Sequence, residues 1–129
     1  MYMSLHAYSQ MWLLPWGFSE QKPKDFGRLF SLAKIGASGI QAVHNTTFLI
    51  GSVPDLLYRS SGNSQDWLKA VAGVDYSFTL ELRDAGRRGM ILPANQIVPT
   101  AEETWTGIYA AARELAHRFY PLQSMCPSI

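Results

Sequence analysis

Between Tyr76 and Arg83 the sequence YSFTLELR alternates without a break between apolar and polar side chains. A period of two is the signature of a β-strand, so Tyr76, Phe78 and Leu80 share one face and Ser77, Thr79, Glu81 and Arg83 the other. Glu81 is the constraint, because it places a carboxylate inside an otherwise apolar element. An unpaired buried charge is costly, so an acid at such a position has a partner, a cleft or a reaction. Periodicity alone is equally consistent with a half-buried strand that keeps one face wet.

Around this strand the chain reads as strands and helices joined by short connections. Ser4 to Ser9 reads as a strand, closed by a turn at Pro15, Trp16 and Gly17. Pro23 opens a helical stretch in which Phe26, Leu29, Phe30, Ala33 and Ala37 recur at helical spacing, ending near His44 and Asn45. Phe48 to Gly51 is a second strand, Gly51 to Asn63 a loop, and Ser64 an N-cap for a short helix through Ala70. The Glu81 strand starts near Val74. From Thr100, TAEE is expected to cap a terminal helix with Trp105, Ile108, Ala112 and Leu115 on its buried stripe. Alternating strands and helices without repeat or linker predict one α/β layered unit over 1–129.

Composition removes several function classes. The 129 residues are 47% hydrophobic and 16% charged, which fits a globular protein. No apolar run approaches the roughly 20 residues that span a bilayer, so no membrane partner is expected. Eleven basic and ten acidic residues leave a net charge of +1 with no basic cluster, so no nucleic-acid partner is expected either. The N-terminal segment has no secretory-signal pattern. Cys126 is the only cysteine and is read as a tail residue without a disulfide role.

Three segments carry a resemblance. ELRDAGRRGMILPANQIVPTAEETW at Glu81 to Trp105 is similar to the end of the zinc metallocarboxypeptidases of the pancreatic carboxypeptidase A and B type. LHAYSQMWLLPWG at Leu5 to Gly17 resembles their HSYSQ strand and following turn, and LLYRSSGNSQDW at Leu56 to Trp67 their mobile-tyrosine segment. The boxes stand in the family's order. A full catalytic domain of that family is more than twice as long, so the resemblance implies the C-terminal segment of one catalytic domain. The implied fold is the C-terminal portion of a mixed-sheet α/β/α architecture, with an incomplete share of an eight-stranded sheet.

The resemblance also implies roles. His6 matches a ligand of the catalytic Zn2+, and Glu81 the catalytic acid that takes a proton from water and delivers it to the leaving amine. Tyr58 matches the mobile tyrosine that closes over substrate, and Tyr8 a residue of the cleft beyond the scissile bond. Leu13, Gly17, Val53 and Leu57 match positions lining the specificity pocket, as do Ser60, Asn63, Gln65 and Thr79. Gln65 takes the floor position, apolar in A-type enzymes and acidic in B-type enzymes. With an amide there and Gly17 opposite, nothing offers Lys or Arg a countercharge, so an apolar or aromatic C-terminal residue is expected. The Ala7–Tyr8 and Arg83–Asp84 peptides are expected to be cis, Ala7 replaces a usual serine, and Arg88 stands where a tyrosine is usual. His44 and His117 match nothing and read as solvated helix residues.

What is missing limits these expectations. The chain has no HxxE, which would supply two further zinc ligands, and lacks the family's oxyanion arginine and its Asn-Arg carboxylate clamp. The expectation is therefore a chain inactive by itself. Its partners would be peptide or protein C-termini and the N-terminal half of the same domain, and by resemblance it would work outside the cell. The alternative is a non-catalytic truncated homologue that acts as a binding or interaction module.

Overall fold

The computed structural model describes residues 1–119, so Cys126 lies outside the described part. Its centre is a mixed sheet of four strands, β1 (Tyr2–Ala7), β2 (Met11–Leu14), β3 (Leu49–Ser52) and β4 (Ser77–Leu82), in the spatial order β1-β4-β2-β3. β4 runs parallel to β1 and antiparallel to β2, while β2 and β3 are parallel. The helices are α1 (Phe26–His44), α2 (Val53–Leu56), α3 (Ser64–Ala70) and α4 (Ile97–Phe119), the last entered through a 3-10 turn at Ala94–Gln96. The α/β class expected from the sequence is the one found. None of these helices is long and apolar enough to cross a membrane.

The alternation along β4 divides the molecule. Phe78 and Leu80 enter a core with Trp12 and Leu14 of β2, Leu29, Leu32, Ala33 and Ile40 of α1, and Ala111 of α4. Ser77, Thr79 and Glu81 face the opposite side, toward α3 and the loop before it. That second face is covered, because Ser77 and Thr79 are both buried. The wet-faced strand is thus replaced by one buried on both sides at its centre.

The core packs an indole over a glycine. Trp12 meets Phe78 edge-on at 5.8 Å between centroids, and a Cβ at Gly36 would come within 2.1 Å of the Trp12 ring. Gly36→Ala is therefore expected to destabilise the fold by about 1–3 kcal/mol through overpacking, although alanine is the better helix former. Urea unfolding checks this; an unchanged or higher midpoint would show that the ring yields.

Several local expectations are corrected. The turn expected after β1 is preceded by β2, whose residues MWLL form a continuous apolar run with no alternation to reveal it. Val53–Leu56 is a helical turn inside the expected loop, fixed by a reciprocal Ser52–Asp55 capping box with Pro54 in its first turn. Asn63, not Ser64, occupies the N-cap of α3. α4 begins at Ile97, so Thr100 lies in its interior, where its hydroxyl donates to the Gln96 carbonyl at 2.6 Å. Its buried face is Thr100, Glu103, Thr104, Gly107 and Ala111, whereas Trp105 and Ala112 are exposed. α1 ends as expected, with Asn45 left-handed at φ 58° and donating to the Gln41 carbonyl. His44 is not simply solvated, since its Nε2 lies 3.0 Å from Glu102.

Arg83 departs from the Glu81 face. β4 ends at Leu82, and the Arg83 guanidinium turns to α4, where it pairs with both oxygens of Glu103. It also donates to Gln96 Oε1 at 2.6 Å and Thr46 Oγ1 at 2.9 Å, tying the end of β4 to three other segments.

β1 is an edge strand with β4 on one side only. Beside it Leu5, Leu82, Leu92, Ile97, Trp105 and Ile108 bound an open apolar groove of about 460 Å3. Exposed edges and grooves of this kind are surfaces that a larger sheet would cover.

Candidate active site

A cavity of about 300 Å3 opens on the sheet face away from α1. β1 supplies His6, β2 Leu13, and β4 both Thr79 and Glu81. The parallel pairing of β1 with β4 sets His6 opposite Glu81, with Nδ1 4.0 Å from Oε1. The remaining wall comes from α2, α3 and the chain between them: Val53, Leu57, Tyr58, Ser60, Asn63 and Gln65.

The two ionisable groups differ in environment. Glu81 keeps only 14% of its side-chain surface accessible and His6 61%. Burial pushes the Glu81 carboxyl above the usual carboxylate range, and the charge of His6 opposes that shift. The result is a carboxyl of raised proton affinity on an otherwise mostly uncharged wall.

The floor is fixed by hydrogen bonds. Gln65 is 3% exposed, its Oε1 accepts from Thr79 Oγ1 at 3.0 Å and its carbonyl from Ser77 Oγ at 2.8 Å. Asn63 Nδ2 donates to the Ser60 carbonyl at 2.8 Å, which shapes the adjacent loop. Tyr58 stands at the mouth, 72% exposed, on a stretch without regular structure.

Gly17, expected on the pocket lining, and Tyr8, expected in the cleft beyond the scissile bond, do not line this cavity. Gly17 is buried behind the wall, where a Cβ would collide with the Asn63 amide, and its N–H donates to Asp66 Oδ2 at 2.8 Å. Tyr8 is outside the cavity, its ring laid against Gly86 and Gly89 of the loop after β4. The Ala7–Tyr8 and Arg83–Asp84 peptides are cis, as is Pro15–Trp16.

Some contributors escaped the sequence reading. Gly62 and Ser64 join the wall. Asp66 anchors the Gly17–Phe18 turn through both backbone N–H groups. Burial raises its carboxyl above the usual range, against the pull of those two amides and Asn63. Its signal was a carboxylate on a short helix beside Trp67, a pattern that a solvated helix start also produces.

Among the described residues no three His, Cys, Asp or Glu side chains converge so as to hold a metal ion. His6 with Glu81 is a pair, and a catalytic zinc takes three protein ligands.

Known proteins share both the sequence and the fold of this chain. The family model described as Zinc carboxypeptidase matches residues 1–107. Carboxypeptidase B of Astacus astacus is 45% identical over 111 residues, covering 86% of this chain and 37% of that protein. Carboxypeptidase A1 of Rattus norvegicus is 45% identical over 107 residues, covering 83% and 25%. Bovine thrombin-activatable fibrinolysis inhibitor, solved in complex with tick carboxypeptidase inhibitor, superposes with a TM-score of 0.87 at 34% identity, covering 91% of this chain and 40% of that one. The chain thus spans about a quarter to two fifths of the relatives it matches, and its four strands are a fragment of their fold. On the match of its sequence and the superposition of its sheet, the chain belongs to the zinc carboxypeptidase family.

Proposed function

We propose that this chain is the C-terminal part of the catalytic domain of a secreted, zinc-dependent metallocarboxypeptidase that releases a single apolar or aromatic residue from peptide and protein C-termini. The observation that carries this reading is the cavity itself, which gathers His6 and Glu81 at paired strand positions beside a neutral floor. Glu81, desolvated and raised in proton affinity, suits a group that accepts a proton from water and returns it to the leaving amine. The exposure of Tyr58 on an irregular segment supports its folding over a bound C-terminal residue. Tyr8 and Gly17 act from outside the cavity: Tyr8 against peptide further upstream, Gly17 by leaving room for Asn63.

The residues present do not complete a zinc site, so no step through the metal is assigned to this chain. His6 is the ligand it contributes, and the others belong to the remainder of the domain, for which the β1 edge and the apolar groove beside it offer a seat. By itself the chain is inactive.

Specificity follows from the floor. Leu13, Val53 and Leu57 offer apolar surface, while Ser60, Asn63, Gln65 and Thr79 bring no charge. In the chain joined to the rest of its domain, Gln65→Asp is expected to raise kcat/KM for Lys-ended over Phe-ended peptides at least about tenfold, by placing a carboxylate where an ammonium arrives. An unchanged ratio would remove Gln65 from the specificity floor.

A further inference from the structure

The loop that follows β4 walls a second, polar cavity. Asp84, Arg87, Arg88, Leu92, Asn95 and Gln96 are among the residues around a space of about 360 Å3. Asp84 forms no ion pair with either arginine among the described residues, and its oxygens are turned to backbone amides instead. Oδ1 accepts from the Gly86 and Gly89 amides at 2.8 and 3.2 Å, and Oδ2 from the Arg88 amide at 2.8 Å. Desolvation pulls its carboxyl upward, but these amides outweigh it and hold the group below the usual carboxylate range. Gln96 is spoken for too, since its Oε1 accepts from Arg83.

Both guanidiniums are left over. Arg87 and Arg88 are exposed, and neither takes part in an ion pair among the described residues. Their backbone is held in place by the Asp84 turn, so the two charges are presented from a fixed loop. Position ties them to the active-site cleft: the Tyr8 ring rests on Gly86 and Gly89, which flank the two arginines, and Tyr8 is two residues from His6 on the cavity wall.

We propose that Arg87 and Arg88 form a carboxylate-binding pocket at the rim of the cleft, which takes an Asp or Glu side chain of the bound peptide upstream of the residue to be released. A guanidinium pairs with a carboxylate through two parallel N–H donors, which makes an acidic side chain the best-matched occupant. The proposal rests on the cavity being the seat of the C-terminal residue.

The test is an NMR titration of the isotope-labelled 129-residue chain with N-acetyl-Glu-Glu-Ala-Phe and with its Gln-Gln counterpart. The Arg87 and Arg88 side-chain N–H signals report the rim, and the Gln65 amide reports the cavity. The glutamate peptide is expected to bind about fivefold more tightly, the scale of an exposed ion pair. That preference should vanish at high salt and in the double variant Arg87→Gln, Arg88→Gln. Equal affinities, a preference that survives the double variant, or no arginine response to the glutamate peptide would overturn the proposal. A glutamate preference without a Gln65 response supports the arginine pocket and counts against the cavity reading; a Gln65 response without the preference does the reverse.

Discussion

Replacing Glu103 by alanine is expected to destabilise the fold by about 3–5 kcal/mol, because it strands the Arg83 guanidinium in a nearly dry site. Glu103 is 1% exposed and Arg83 14%, so little bulk water reaches the guanidinium to replace the lost carboxylate. Gln96 and Thr46 remain as acceptors, but neither carries charge. The damage should come from the orphaned cation and not from the loss of the pair as such. A double variant, Arg83→Met with Glu103→Leu, is therefore expected to recover most of the stability, since apolar replacement of a buried pair is often close to neutral. Urea unfolding of the single and double variants measures both. A single variant within about 1 kcal/mol of the parent would place the pair in the surface class instead.

Arg83 and Glu103 also show where the sequence stops being readable. The alternation from Tyr76 places Glu81 on the correct face, and the α1 stripe and its Asn45 end are equally plain, because each signal lies within one element. β2 was hidden because MWLL is buried without alternation. The α4 stripe was assigned about one residue out of phase. Its register is set by Gly107, where a Cβ would meet the Gly36 carbonyl at 2.7 Å, and by Glu103 reaching Arg83. A glutamate counts as polar in any periodicity, so a buried one shifts the apparent stripe toward the exposed Trp105 and Ala112. The active-site pair is a similar case. Nothing local says that His6 sits opposite Glu81; that depends on parallel pairing between strands 75 positions apart, and the resemblance singled out both residues without giving that pairing. The same resemblance put Gly17 on the pocket lining, whereas the structure sets it behind the wall against the Asn63 amide.

The second large effect belongs to Glu81. In the chain joined to the remainder of its domain, Glu81→Gln is expected to lower kcat by about 10²–10⁴-fold while changing KM little, since the amide keeps the shape of the wall but cannot carry a proton. Among the described residues the Glu81 side chain makes no hydrogen bond or ion pair that a glutamine would break apart from the 4.0 Å approach to His6, so the fold should survive. A matching fall in affinity with an unchanged kcat would instead make Glu81 a substrate-binding group.

The central claim is that this chain holds part of a carboxypeptidase active site, with His6 and Glu81 its contribution, and needs the rest of the domain to work. The most direct measurement is zinc binding and hydrolysis of a Phe-ended peptide, with a free and with an amidated C-terminus, by the chain alone and after joining to the upstream part of a relative's domain. The account predicts no stoichiometric zinc and no hydrolysis for the chain alone, and cleavage of only the free-ended peptide by the joined protein, lost in Glu81→Gln. Stoichiometric zinc with cleavage by the chain alone, or a joined protein that never cleaves, would contradict it.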